Sequence, residues 1–275
     1  MPRIALLQMT SGIDPDANAA TIAEAIERAA GEGAEMLFTP EMAGLLDRKR
    51  ERATRNIVPE SESAMVDRVA KAAGDAGVWA CLGLPVLRED GRWANRTLVF
   101  NKSGEIAARY DKIHMFDVEL DTGESWRESA AYVPGEKVVT VEGTPVGRLG
   151  LTICYDIRFP ALFEELGRKR CDAIAIPAAF TVPTGKAHWH LLQRARAVEA
   201  SAFVIGAAQV GKHADGRETY GHSLVVGPWG EVLLDMGGDA AGLQVCDLDL
   251  ERIAEVRKQL PSLANKRDIP KSAAQ

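Results

Sequence analysis

Cys154 is the residue of this sequence best suited to nucleophilic chemistry. It closes the apolar run 146–154 and is followed at once by Tyr-Asp-Ile-Arg-Phe-Pro, where Pro160 suits the first turn of a helix. A thiol on a strand-to-helix turn is expected to lie exposed at a sheet edge, near the positive end of a helix, and both features lower its pKa. The other cysteines have plainer settings. Cys81 in VWACLGL, Cys171 at the start of DAIAIPA and Cys246 in LQVCDLDL each read as a small apolar residue packed in or beside a strand.

A thiol nucleophile needs a group to move its proton and a cation for the charge that develops on the attacked oxygen. Open α/β sheets gather such groups at the carboxyl ends of strands. Glu41 follows AEMLFTP directly, with Pro40 fixing the backbone before it, and Lys112 follows EIAARY in YDKIH. Singly, each reads as a surface charge; together with Cys154 they are the parts of an amide hydrolase. Cys154 attacks, Glu41 takes the thiol proton and later protonates the leaving amine, and Lys112 with the Tyr155 N–H holds the tetrahedral oxyanion.

Other motifs do not complete a site. His188 and His190, two residues apart on a helix, diverge by about 200° and cannot share a zinc ion. Gly221-His222-Ser223-Leu224-Val225 lacks the closing glycine of a nucleophile elbow, which leaves Ser223 structural. No phosphate-binding loop, dinucleotide fingerprint or CxxC pair is present, so no cofactor is expected. Two alternatives stay open: a Cys–His peptidase with His114, His188 or His222 as base, and an α/β interaction module that has lost turnover.

The elements that must position these residues alternate. RIALLQM, a helix opening at Asp14-Pro15 and running through ATIAEAIERAA, and AEMLFTP give β-α-β. A helix over SESAMVDRVAKAAGDAG follows, then the strand VWACLGLPV and a hairpin, RTLVFN-KSG-EIAARY. VGRLGLTIC, DAIAIPA and AFVIGAAQ read as strands separated by the helices PALFEELGRKR and HWHLLQRARAVEAS. HSLVVGP, VLLDMG and LQVCDLDL add strands before the closing helix ERIAEVRKQL. Most strands are apolar along their length, the pattern of sheets covered on both faces, and the fold class is α/β.

The chain has 275 residues, 46% apolar and 26% charged, a balance that affords a large buried core. The reading is one domain over residues 1–260, with a polar tail 261–275 that contacts a second subunit. The net charge of -6 supplies no basic footprint for nucleic acid or an anionic membrane. No apolar stretch reaches the ~18 residues of a membrane span, and the N-terminal apolar run is too short for an export signal. The expectation is a cytoplasmic protein with reduced thiols.

With Glu41 after a strand, Lys112 in YDKIH and Cys154 in GLTICYDIRFP, the sequence resembles the nitrilase superfamily of carbon-nitrogen hydrolases over nearly its whole length. The resemblance implies a four-layer αββα sandwich, a homodimer or higher homo-oligomer with subunits paired through an outer helical face, a thioester acyl-enzyme and no cofactor. It also implies a second glutamate supporting the lysine shortly before a Pro-Gly turn, the place of Glu128 in WRESAAYVPGE. The segments CYDIRFP, PTGKAHWHLLQRARAVE and YGHSLVVGPWGEV are similar to the branch that holds deaminated glutathione amidase and omega-amidase. That likeness implies a small-molecule amide substrate with an acidic, 2-oxoglutaramate-type acyl group, in a pocket lined by Tyr155, Arg158, Phe180 and Thr184. Arg158 is suited to pairing a carboxylate. The stretch from Arg217 to Ser223 is closer to the deaminated glutathione form, with omega-amidase or an N-carbamoyl amidase as alternatives. Ala161 departs from the glutamate usual in the branch, a difference that bears on local packing.

Overall fold

The structure, a computed structural model, describes residues 1–119, 121, 123 and 125–270. Its first strand, β1 (Arg3–Gln8), divides its side chains between two apolar layers. Ala5 and Leu7 pack with Ile22 and Ile26 of α1 (Pro15–Gly31), whereas Ile4 and Leu6 point into the opposite core. Burial on both faces is the reason the sequence shows no apolar-polar alternation there. Asp14 caps α1 by accepting from the N–H groups of Asp16 and Ala17, and Pro15 supplies the first helical residue.

The chain continues through β2 (Met36–Phe38), the single turn α2 (Arg50–Ala53), α3 (Ala64–Ala76), β3 (Trp79–Leu87), β4 (Trp93–Phe100) and β5 (Ile106–Asp111). A small hairpin of β6 (Asp117–Glu119) and β7 (Ser125–Arg127) precedes β8 (Thr140–Thr144), β9 (Gly147–Leu151), α4 (Pro160–Arg168), β10 (Ala173–Ala175) and α5 (Val182–Ala200). The last third holds β11 (Phe203–Gly206), the hairpin β12 (Val210–Lys212) and β13 (Glu218–Tyr220), then β14 (Leu224–Val226), β15 (Val232–Asp235), β16 (Gly242–Asp247), α6 (Glu251–Gln259) and α7 (Ser262–Asn265).

Two six-stranded sheets result, ordered β16-β1-β2-β3-β4-β5 and β15-β14-β11-β10-β9-β8. The strands β1, β2 and β3 run parallel, as do β9, β10 and β11; β16, β4 and β8 are antiparallel to their neighbours. α1 and α3 cover the outer face of the first sheet through residues such as Ile22 and Val69. α4 and α5 cover the second through Phe163, Trp189 and Ala197, in the same core that joins the sheets. This is the four-layer αββα sandwich expected from the sequence. Among the described residues no helix is long and apolar enough to cross a membrane.

Several boundaries differ from the sequence reading. The strand expected over 146–154 stops at Leu151, and Cys154 opens a short 3-10 turn, Cys154–Arg158, ahead of α4. α5 begins at Val182 rather than His188, with Pro183 in its first turn, so Thr184 belongs to the helix. The strands β6, β7, β8, β12 and β13 were not legible; most are three residues long, too short for periodicity to register. Beyond α6, Lys266 pairs with Glu164 and Leu263 approaches Gly167 of α4, so the segment 263–266 lies against its own chain, whereas Ile269 is exposed. The end of the expected interface tail, residues 271–275, lies outside the described residues.

One close approach ties the sandwich to the residues singled out above. Gly83 of β3 lies beneath the chain after β2, and a Cβ there would sit 2.3 Å from the Pro40 carbonyl oxygen and 3.1 Å from Glu41 Cα. Backbone cannot yield as a flexible side chain would. Gly83→Ala is therefore expected to lower unfolding stability by about 1–3 kcal/mol and to displace Glu41. Urea denaturation, with solvent exchange at the Glu41 segment, checks this; wild-type stability and exchange would refute it.

Candidate active site

Glu41, Lys112 and Cys154 follow β2, β5 and β9, and the fold brings all three to one cavity of about 320 Å³. The Lys112 ammonium, 2% exposed, lies 2.9 Å from Glu41 Oε1 and 2.8 Å from Oε2 of Glu128. The Asn95 amide donates to both carboxylates, at 2.8 Å to Glu41 and 3.0 Å to Glu128. The Ala179 N–H donates to the remaining Glu41 oxygen at 2.9 Å, and the Phe116 N–H to Glu128 at 2.7 Å. The Cys154 thiol lines the same cavity beside this Glu41–Lys112 pair, close enough for both charges to act on its ionisation.

These contacts set the protonation states. Burial by itself would raise the Glu41 pKa, but the Lys112 charge and hydrogen bonds from Cys154, Lys112 and Asn95 hold it below its ordinary 4.5. Burial would likewise lower Lys112; Glu128 and Glu41 reverse that and keep it well above its ordinary 10.5. The thiol is where the expectation fails. Cys154 is buried rather than exposed, and desolvation with the adjacent Glu41 charge pushes its pKa well above 9.0 despite the attraction of Lys112. The anticipated helix dipole does not act there, because α4 starts only at Pro160. The resting pair is a neutral thiol beside an ionised carboxylate.

The nucleophile's turn is held from below. Asp156, fully buried, accepts from the Ile153 N–H at 2.9 Å, the Tyr110 hydroxyl at 2.6 Å, and the His114 N–H and Nδ1 at 3.0 and 2.7 Å. A carboxylate can only accept, so His114 Nδ1 carries the proton. Cys154 has φ of 47° and Met42, next to Glu41, φ of 55°, left-handed conformations that cost side-chain-bearing residues strain. Asp156 and the packed residues around it maintain that geometry.

Tyr155, Arg158, Phe180 and Thr184 all line the same cavity. The Arg158 guanidinium carbon lies 5.8 Å from the Tyr155 ring centre and 5.5 Å from that of Phe180, and its Nη1 is 3.3 Å from His188 Nδ1. Arg158 makes no ion pair with any described carboxylate. The histidines proposed as alternative bases are elsewhere: His114 serves Asp156, His188 meets Arg158, and His222 pairs with Asp235. None of them lines the cavity. His190, His222 and Asp235 are the described group with metal-ligand spacing; none lines the Cys154 cavity, and both histidines are already hydrogen-bonded to Asp235. Ser223 is buried and accepts from the Ala208 N–H, a structural role.

Sequence reasoning missed Asn95, Asp156, Arg48, Trp126 and Arg217. Asn95 carried a signal, since asparagine is disfavoured inside strands, but the strand was read as starting at Arg96. The others come from loops and short hairpins whose place relative to the nucleophile no periodicity reveals.

Residues 3–258 match the family described as carbon-nitrogen hydrolase. The deaminated glutathione amidase of Yersinia enterocolitica is 38% identical over 97% of this chain and 93% of its own length. Saccharomyces cerevisiae Nit3, a member of branch 10 of the nitrilase superfamily, superposes with TM-score 0.84 at 29% identity, over 94% of each chain. The amidase from Nesterenkonia sp. AN1, seen in a mutant after Michael addition of acrylamide at its active-site cysteine, gives TM-score 0.79 at 29% identity, covering 95% of this chain and 98% of that one.

The ionisation pattern has a measurable consequence. Stability from the depressed Glu41 is present above its unfolded value of 4.5 and lost as pH falls through its folded pKa; that from the raised Lys112 is present below 10.5 and lost only as pH climbs through its folded pKa. A base titrating like Glu41 places the acid limb of kcat/KM below pH 4.5. A pH-rate profile on enzyme kept folded, as followed by circular dichroism, tests this. An acid limb near pH ~6.5 would indicate a histidine base instead.

Proposed function

This chain belongs to the carbon-nitrogen hydrolase family, and within it we propose that Cys154, Glu41, Lys112 and Glu128 form the machinery of an amidase with a thioester intermediate. The observation that carries the proposal is the buried Glu41 carboxylate, ion-paired with the Lys112 ammonium at 2.9 Å in the cavity that Cys154 also lines. Cys154 Sγ attacks the amide carbonyl carbon as Glu41 accepts the thiol proton. The carbonyl oxygen takes the negative charge, held by Lys112 and the Tyr155 N–H. The carbon–nitrogen bond then breaks, Glu41 returns the proton to the departing nitrogen, and the acyl group remains as a thioester. Water attacks that thioester while Glu41 takes its proton; expulsion of the thiolate and its reprotonation restore the resting pair.

Glu128 and Asn95 position Lys112 and Glu41. The substrate reading follows from Arg158, a cation in the cavity without a carboxylate partner among the described residues, beside Phe180 and Thr184. An acyl group ending in a carboxylate meets that guanidinium, in keeping with a 2-oxoglutaramate-type amide. The similarity to named deaminated glutathione amidases favours deaminated glutathione over 2-oxoglutaramate. Four unpaired cysteines suit a reducing, cytoplasmic setting. The experiment is a panel assay. Purified protein should release 2-oxoglutarate from deaminated glutathione faster than from 2-oxoglutaramate, and Cys154→Ala should abolish both reactions. The reverse preference would transfer the assignment to omega-amidase, and activity surviving in Cys154→Ala would remove the nucleophile from the scheme.

We further propose a homodimer built on the outer face of α5. Leu191, Val198, Trp229, Val232 and Leu233 are exposed there, and the Trp229-Gly230 turn packs beside Val198. An apolar patch of this kind on a helix and an adjoining hairpin suits a second copy. Light scattering should return twice the 29.7 kDa chain mass, falling to the single mass in a Leu191→Asp/Val198→Asp variant. A monomeric wild type would rule the interface out.

A further inference from the structure

Away from the Cys154 cavity, three segments bring two imidazoles and a carboxylate to one point. His190 lies in α5, His222 in the turn between β13 and β14, and Asp235 closes β15. His190 Nε2 is 2.9 Å from Asp235 Oδ2, and His222 Nδ1 is 2.9 Å from Oδ1 and 3.2 Å from Oδ2. The ligand atoms of all three residues fall within 4.8 Å of one another. A tetrahedral zinc ion, with bonds of about 2.0–2.2 Å, separates its ligand atoms by roughly 3.3 Å. Both histidine–carboxylate spacings are therefore within a fraction of an ångström of what such an ion requires.

The three groups are held in place by their surroundings. His222 has φ of 56°, a left-handed conformation that is costly for a residue with a side chain. Its N–H donates to the Gly237 carbonyl at 2.8 Å, and its own carbonyl accepts the Trp189 indole N–H at 2.7 Å. Its ring stacks on Tyr220 with centres 4.4 Å apart and meets the His190 ring at 5.0 Å and 73°. The Gly237 N–H donates to Asp235 Oδ1 at 2.9 Å. Burial by itself would raise the Asp235 pKa, but hydrogen bonds from His190, Gly237 and His222 hold it below its ordinary 3.8, so this ligand is a carboxylate at neutral pH. Its ion-pair partners are these two histidines; among the described residues no lysine or arginine pairs with it. With both imidazoles neutral, the negative charge lacks a permanent cation. A divalent ion supplies one and takes one nitrogen from each ring, each neutral imidazole then carrying its proton on the other nitrogen, with no net proton released.

We propose that His190, His222 and Asp235 form a binding site for a divalent transition-metal ion of the zinc type, with His190 Nε2, His222 Nδ1 and a carboxylate oxygen as the protein ligands. Mixed nitrogen and oxygen donors suit zinc, whereas calcium and magnesium take oxygen ligands. The ion has no part in amide cleavage; it fastens α5 to the β13–β14 turn and to the end of β15. The site stands independently of the amidase reading, and its test reads binding rather than turnover.

Zn2+ added to Cys154→Ala protein, which removes the thiol of the open cavity, should bind at one equivalent per chain and raise the thermal unfolding midpoint. His190→Gln should weaken that binding at least about tenfold, since loss of even a supporting partner costs a metal site that much. His222→Asn, whose new side chain tolerates the left-handed backbone, should do the same. With Co2+ as the probe, the visible spectrum should be that of a nitrogen–oxygen site, without a thiolate-to-metal charge-transfer band. In wild type, Zn2+ should protect His190 and His222 from diethylpyrocarbonate while the exposed His188 stays reactive, a readout that does not depend on any variant folding. The site is overturned by an absence of Zn2+ binding, by a thiolate band, or by equal modification of His190 and His222 with and without Zn2+. Undiminished binding in both histidine variants, with the wild-type circular dichroism spectrum, overturns it as well.

Discussion

The active-site end of this molecule depends on a lysine ammonium almost wholly removed from water. An isolated buried charge of this kind costs several kcal/mol, and Lys112 would shed its proton were it alone. Two carboxylates, Glu41 and Glu128, make the charged form the stable one. That creates a second demand, since two carboxylates and one ammonium leave a net negative charge. The Asn95 amide and the N–H groups of Ala179 and Phe116 answer it with donors aimed at the carboxylate oxygens. The cluster is stable only as a whole, because removal of one member exposes the others to an uncompensated environment.

That interdependence imposes tolerances on the rest of the fold. The members come from the ends of strands in two different sheets and from the loops after them, so the sheets must meet in one register. Gly83 lets β3 pass directly beneath Glu41, and Asp156 fastens the nucleophile's turn to β5 through Tyr110. The two left-handed residues without glycine's freedom that flank this chemistry, Met42 and Cys154, hold strain that these contacts support. The thiol's raised pKa belongs to the same economy. Beside a carboxylate that Lys112 keeps ionised, a neutral thiol is the lower-energy resting state, and the proposed attack proceeds with proton transfer to that neighbouring carboxylate.

Outside the cluster the cavity changes character. The rings of Trp126, Phe116 and Tyr155 form a shelf, with Arg158 at one end and Arg48 and Arg217 at the other; of these, Arg158 and Arg48 pair with no carboxylate among the described residues. Guanidiniums over aromatic faces keep a planar, preorganised donor array without burying a bare charge. In the proposed function, selection among amides falls to this outer part and bond cleavage to the buried cluster.

The division between what was legible and what was not follows the range of the interactions. Helix caps, the hairpin β4–β5 and the alternation of strands and helices are local, and Asp14, Pro15 and the Lys102-Ser103-Gly104 turn declared them. Glu41, Lys112 and Cys154 were also readable, because each directly follows an apolar run and residues there are carried to the same edge of an α/β sheet. The thiol's environment was not, since burial comes from packing across the core and the neighbouring carboxylate, Glu41, from a segment more than a hundred positions away, and a rule about turns and helix dipoles pointed the wrong way. Asn95, Asp156 and the Arg48–Trp126–Arg217 group acquire meaning only from contacts across the sandwich. The sequence by itself determined which side chains could do chemistry and which layers would carry them. Only the tertiary structure decided their charge states and partners, because those depend on desolvation and distances of a few ångströms that no spacing along the chain encodes.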